Sequence, residues 1–277
     1  MKQNLSDNLW GTYVIFKREF FSNFKSIRMI ILMIIFSLFV LFSIFVGSFI
    51  MSAADNIPDM DQSLIDQGPI FILGLVSGFI YFIGPLIAIV LAFDVIVKEK
   101  IQNSLNFLLC RPVGKRAIAL GKFLGVTGAL AIPVITVNTI AVIAIIIISN
   151  KGIEFVQAAG FIIYTMIFFA IYILIAQVIS SLAKTTTTAI LSGIGIWFLF
   201  WLFLPIISNI VDNSSVANAL SLINPGALYS NCIGHILDMA STNLSGEIPI
   251  WGYHLVFFVW LFSFLLLAIE IFHRKGD

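Results

Sequence analysis

The sequence predicts an all-α, polytopic membrane protein with six transmembrane helices, and three observations carry that prediction. Of its 277 residues 60% are hydrophobic and only 10% charged, whereas a water-soluble surface takes roughly a quarter charged residues to solvate it. Six apolar runs reach the roughly 20 residues that a helix needs to cross the hydrocarbon core. All of the 15 Lys and Arg except Lys151 fall in segments that six crossings put on one side. Backbone polar groups in lipid must bond within their own segment, which makes these runs helices rather than open strands.

Residues 1–26 form the first element, a cytoplasmic N-terminal segment. Over 9–26 the residues Trp10, Tyr13, Val14, Phe20, Phe21 and Phe24 recur at helical spacing, while Arg18, Glu19, Ser22, Asn23 and Lys25 fall elsewhere. Ser6 or Asp7 is placed to cap its start. An apolar stripe with basic flanks ahead of a span predicts an amphipathic helix in the interface, with membrane lipid as its partner. The spans follow at 27–52, 70–93, 123–149, 158–182, 189–211 and 251–272, and a short tail ends the chain at 273–277. The first span is too long and too far from the N-terminus for the apolar region of a secretory signal, so it is expected to stay in the mature protein. Pro85, Pro133 and Pro205 should each kink a span and free a carbonyl that needs another partner.

The basic residues fix the orientation. The N-terminal segment carries Lys2, Lys17, Arg18, Lys25 and Arg28, and the second connection carries Lys98, Lys100, Arg111, Lys115, Arg116 and Lys122. Lys184 lies between spans four and five, and Arg274 and Lys275 close the chain. The other side collects Asp55, Asp59, Asp61, Asp66, Glu154, Asp212, Asp238 and Glu247. The positive-inside rule makes the basic side cytoplasmic, so both termini are expected there in a multi-pass protein of the cell membrane. Cys110 and Cys232 then lie on opposite sides and cannot bridge within one chain. A net charge of +1, with no basic cluster interleaved with base-stacking aromatics, excludes nucleic acid as a partner.

The cytoplasmic hairpin 94–122 is the most informative stretch; with Phe93 it reads FDVIVKEKIQNSLNFLLCRPVGKRAIALGK. The second span runs on through Val97, Lys98, Glu99 and Lys100. Leu105, Phe107, Leu108 and Leu109 follow, broken at Arg111-Pro112-Val113-Gly114, where proline disfavours helix in the residue before it. A new helix starts from about Lys115. A solvated loop whose charges only set topology gains nothing by exposing the apolar run, so the hairpin offers a short apolar helix and a basic turn to a partner protein.

The order of these residues resembles the signature of type-2 ABC transporter permeases: Asp94 at a span's end, Lys98-Glu99-Lys100, Ser104-Leu105, Leu108-Leu109, Pro112-Val113, Arg116 and Gly121-Lys122. The six-span plan and the amphipathic N-terminal helix match as well, so the resemblance covers the chain; Asn103 stands where such sequences often have glycine. The resemblance implies that the hairpin is a coupling helix seated in a cleft of a separate ABC ATPase subunit, with contact over 98–116. Lys98, Glu99, Lys100, Ser104, Leu105, Leu108, Leu109, Arg111, Pro112 and Arg116 are the residues it singles out. It also implies a dimer with a second copy or a similar permease, and an external gate.

The chain carries no motor of its own. Gly114-Lys115 and Gly121-Lys122 lack the preceding glycine and the following Ser or Thr of a phosphate-binding loop, and Leu191-Ser192-Gly193 lies inside an apolar span. No Ser–His or paired-Asp arrangement marks an enzyme, and no cofactor is called for. Asp94 and Glu270 sit at span ends as interfacial caps, and Asn138, Gln177 and Thr136 are expected to hydrogen-bond between helices. Such spans do not suit a proton-coupled carrier. The external connection 212–250 has apolar runs at 216–223 and 227–237 separated by Asn224-Pro225-Gly226, which predicts short helices dipping back into the outer leaflet. Whether they gate or only cap stays open. Cys232, His235 and Asp238, with Met239 adjacent, recur at a three-residue spacing, but without a second cluster they read as a polar face and no metal is assigned. Gly74-x-x-x-Gly78 and Gly121-x-x-x-Gly125 allow close helix approach, by default within the chain. The leading expectation is the permease subunit of an ATP-driven exporter of lipophilic or amphipathic cargo; a non-transporting membrane anchor and an ion-coupled carrier are the alternatives.

Overall fold

The computed structural model describes residues 5–54, 67–102, 114–211, 214–239 and 249–275. Helix α1 (Leu5–Phe24) precedes α2 (Ile27–Ala54) and α3 (Gly68–Ala92); a short α4 (Val97–Ile101) follows. Next come α5 (Lys115–Ser149) and α6 (Phe155–Leu182). Helix α7 (Thr186–Phe198) passes through a π-helical turn (Leu199–Phe203) into α8 (Leu204–Ile210). Two short helices, α9 (Ser214–Ile223) and α10 (Pro225–Ile236), lead to α11 (Ile250–Lys275). No strand occurs among the described residues, and six helical stretches are long and apolar enough to cross a membrane. The protein is an all-α, six-span membrane protein.

Helix α6 is the hub, because 72% of its apolar window is buried inside the protein against 17% for α7–α8 and for α11. It packs on α3, α5, α10 and α11, and Phe168, Phe169, Ile171 and Leu174 along it are inaccessible. The peripheral spans turn Phe45, Phe49, Ile147 and Leu266 outward, as lipid-facing side chains should be. At one end of the bundle Ile15, Ile96, Ile118, Ala119 and Phe272 form a small apolar cluster. That cluster puts α1, the start of the hairpin, the start of α5 and the last turn of α11 at one end, as an even number of crossings requires.

Three local expectations change. Helix α1 already includes Leu5, so Ser6 and Asp7 lie within it rather than ahead of it. The second span does not run straight on: α3 stops at Ala92 and α4 begins only at Val97. The reason is on α6, where the Ser180 hydroxyl accepts hydrogen bonds from the backbone N–H of Ile96 (3.1 Å) and of Val97 (3.0 Å). A side chain that satisfies the orphan donors of a new helix start favours restarting the helix there. Thr136 bonds back to Ile132 O in its own helix, and the amide of buried Asn138 has no bond among the described residues; of these three, Gln177 alone bridges helices, donating to Ala119 O of α5 at 3.0 Å.

Helices α3 and α5 continue through Pro85 and Pro133. Near Pro85 the Trp197 indole donates to Phe82 O at 3.1 Å, three residues before the proline. Pro205 follows the π-helical turn directly. Inside a helix a proline removes one bond and clashes with the carbonyl four residues back, and a widened turn at that place accommodates it.

Candidate coupling site

The site begins with glycines. Along α5, Gly121 and Gly125 lie on one face and receive α1: a Cβ at Gly121 would stand 2.9 Å from Ile15 and from Thr12 O, and one at Gly125 would stand 2.5 Å from the Glu19 Cβ. The close approach anticipated for this pair is therefore made within the chain, with the N-terminal helix as the partner rather than another span. Helix α1 is two-faced as a result. Gly11, Ile15 and Glu19 are buried against α5, while Trp10 (69% exposed), Tyr13, Phe21 and Phe24 point away from the protein. Phe20, half-buried, stacks on Phe24 with ring centroids 5.7 Å apart. An outward aromatic face next to basic Lys17, Arg18 and Lys25 suits a membrane interface.

The glycine seam carries Glu19 to a buried ammonium. Lys122 is 1% exposed, and its Nζ lies 2.8 Å from Glu99 Oε2, 3.4 Å from Glu19 Oε1 and 2.9 Å from Val95 O. An ammonium has three N–H donors and no acceptor; Lys122 donates to Val95 O and Glu19 Oε1, and its approach to Glu99 Oε2 is an ion pair outside hydrogen-bond geometry. Arg18 Nη2 stands 2.8 Å from both Glu19 Oε1 and Glu99 Oε1. Two cations and two carboxylates thus join α1, α4 and α5. Arg18 is half exposed and its pairs are screened by solvent; Lys122 is not, and burying it is tolerable only because its partners are in place. Lys100 adds a bond from its ammonium to Ser181 O of α6. Helix α4 is therefore held by α1, α5 and α6 at once.

Of the residues expected to couple, Lys98, Glu99 and Lys100 form the body of α4, and Arg116 is exposed in the first turn of α5. Ser104, Leu105, Leu108, Leu109, Arg111 and Pro112 lie outside the described residues. Asp94 pairs with Arg28 at 3.0 Å, and that guanidinium sits 5.3 Å from the Phe93 ring centroid; Glu270 pairs with Arg274 one turn on. Sequence reasoning gave no site role to Arg18, Glu19 or Ser180, and named Lys122 only as part of the family signature. A signal existed for two of them: Glu19 follows Gly11 and Ile15 at four-residue spacing, and Lys122 adjoins the glycine pair.

At the opposite end α10 enters the core. Tyr229 is inaccessible, stacks on Phe168 with centroids 4.4 Å apart and shares a 3.0 Å hydrogen bond with Thr165. Asn224 fixes the α9–α10 turn, donating to Phe200 O in the π-helical turn at 2.8 Å and accepting from Gly226 N at 2.9 Å. Asn224→Ala leaves both groups unpaired and is expected to cost about 1–3 kcal/mol, read as a lower unfolding midpoint in detergent. Cys232, His235 and Asp238 diverge. Burial pushes the Cys232 thiol up to about 12, Asp238 is exposed, and His235 Nδ1 lies 3.1 Å from His254 Nε2. His254 in turn holds the Tyr164 hydroxyl at 2.6 Å through Nδ1.

The described residues thus form a six-span helical membrane bundle in which the base of an inter-span hairpin is clamped to the N-terminal helix. The profile of the ABC-2 family transporter proteins matches residues 13–276, and the chain belongs to that family. Among curated proteins it is similar to the probable ABC transporter permease protein NosY of Stutzerimonas stutzeri, at 31% identity over 70% of this chain and 76% of that one. The protein of the same name from Pseudomonas aeruginosa is 27% identical over the same shares.

Proposed function

We propose that this chain is the membrane-spanning permease subunit of an ATP-driven ABC exporter, acting as a dimer with a separate ATPase subunit on each copy. The observation that carries the reading is the clamp on Glu99: the base of the hairpin cannot shift without dragging Lys122 of α5 and Arg18 of α1. In this reading the basic end faces the cytoplasm, and residues 98–116 meet the ATPase. Nucleotide-driven closure of two ATPases pushes the hairpins, and the thrust passes from α4 to α5 through the ion pairs and to α6 through Ser180 and Lys100. The spans tilt as rigid bodies and open a path between the two copies. Cargo is lipophilic or amphipathic, because the interiors of the spans offer no charge to a polar solute. The ATPase hydrolyses ATP; this chain only transmits the motion.

Co-expression with a stand-alone ABC ATPase tests this. The complex is expected to co-purify and to hydrolyse ATP faster in vesicles than the ATPase alone. Arg111→Gln should weaken the association, and Glu99→Gln should leave it intact while lowering the stimulation about tenfold or more, equivalent to roughly 1.4 kcal/mol of coupling. A complex that assembles without any stimulation indicates an anchor. Transport that needs no ATPase and collapses with an ion gradient indicates a carrier.

A further inference from the structure

A second polar cluster lies between the basic ends of α2, α3 and α7, apart from the ion pairs around Lys122. Arg28, Asp94, Lys98, Thr186 and Thr187 surround an open cavity of about 370 Å³, with Phe93 and Ile190 as its apolar wall. Asp94 is already engaged by Arg28 at 3.0 Å, and a guanidinium retains further N–H donors after one such bond. Lys98 is exposed and forms no ion pair among the described residues. Two cations against one carboxylate leave the rim net positive.

The first turn of α7 adds to this. Thr185 caps the helix by accepting from Thr188 N at 3.1 Å, and the Thr188 hydroxyl donates back to Thr185 O. Thr186 and Thr187, the first two residues of the helix, line the cavity, and the first N–H groups of a helix have no intrahelical partner and favour an anion. The position is also specific: level with the ends of three spans, where a lipid headgroup sits, with a phenyl ring and an isoleucine placed for its glycerol and upper acyl chain.

We propose that this cavity binds the phosphate of an anionic phospholipid from the leaflet on the basic side, with Lys98, Arg28 and the start of α7 as donors. Basic pockets between spans on the cytoplasmic side are suited to anionic headgroups; the leaflet assignment rests on the orientation given under the proposed function. Lys98 belongs to α4 and is the neighbour of Glu99. A seated headgroup ties the hairpin base to α7 as Lys122 ties it to α5, so the lipid completes the clamp.

The full chain in nanodiscs of phosphatidylcholine, with and without phosphatidylglycerol, tests the proposal. Phosphatidylglycerol is expected to raise the unfolding midpoint and to remain bound in native mass spectra. The double variant Lys98→Gln, Thr187→Val should keep the wild-type midpoint in phosphatidylcholine yet bind phosphatidylglycerol about tenfold more weakly, while Lys151→Gln at the other end should behave as wild type. Equal stabilisation of wild type and double variant by phosphatidylglycerol overturns the site. Equal stabilisation by inorganic phosphate in phosphatidylcholine overturns the lipid as its source. A Lys184→Cys variant in a Cys110→Ser background separates the two readings: labelling by an impermeant maleimide only from outside intact cells overturns the orientation, whatever the binding result.

Discussion

Replacing Lys122 with methionine is expected to destabilise the protein by about 3–5 kcal/mol, the cost of breaking a buried ion pair from one side. Methionine fills the stem but leaves Glu19 and Glu99 facing each other with Arg18 as their remaining cation, and Arg18 is half exposed. Neutralising a carboxylate as well, in Lys122→Met with Glu99→Gln, should recover part of the loss, because the double variant removes the like-charge contact. The check is unfolding by denaturant or heat in a fixed detergent, for the two singles and the double. A single variant within the roughly ±0.5 kcal/mol typical of surface changes would show that Lys122 is solvated in the folded protein. The same variant should also uncouple, since α4 would then be held only by α6 and by a screened pair.

Gly125→Leu is expected to lift α1 off α5. Its Cβ alone would stand 2.5 Å from the Glu19 Cβ and 3.1 Å from Phe16 O, and overpacking against backbone costs about 1–3 kcal/mol or more. The spans have no reason to unfold, so helix content should persist while ATPase stimulation falls severalfold. Release of the helix is read directly at Ile15→Cys, 8% exposed in the seam: thiol labelling should be slow on the wild-type background and fast beside Gly125→Leu. Gly78→Ala is the matched control, because a Cβ there meets nothing within 4 Å. If both glycine variants behave alike, the seam does not hold α1.

The difference between these two glycine pairs shows what a sequence can say. Gly74-x-x-x-Gly78 and Gly121-x-x-x-Gly125 are the same pattern, yet one end of the first pair opens to space and its other end meets Met239, while both ends of the second pair receive α1. Spacing states that a close approach is permitted; the approaching partner is a tertiary fact. Glu19 teaches the same lesson from the other side. Its four-residue spacing from Gly11 and Ile15 marks the face it shares, and only the docking of α1 on α5 brings that face to Lys122. Ser180 was one more small polar residue in an apolar span until α6 placed it against two free N–H groups at a helix start.

The six crossings, their helical nature and the segregation of charge were set by the sequence alone, because lipid admits few solutions: each long apolar run must be a helix, and basic loops sort to one side. The order of residues in the hairpin likewise resembles that of the ABC-2 family without reference to the fold. What tertiary structure decided was connection: which face of α1 is buried, why α3 stops at Ala92, and how one buried lysine gathers three helices. Burial in a membrane protein depends on which helix lies opposite, and an apolar sequence looks much the same toward lipid as toward a neighbour, so contacts of that kind leave little trace in the order of residues.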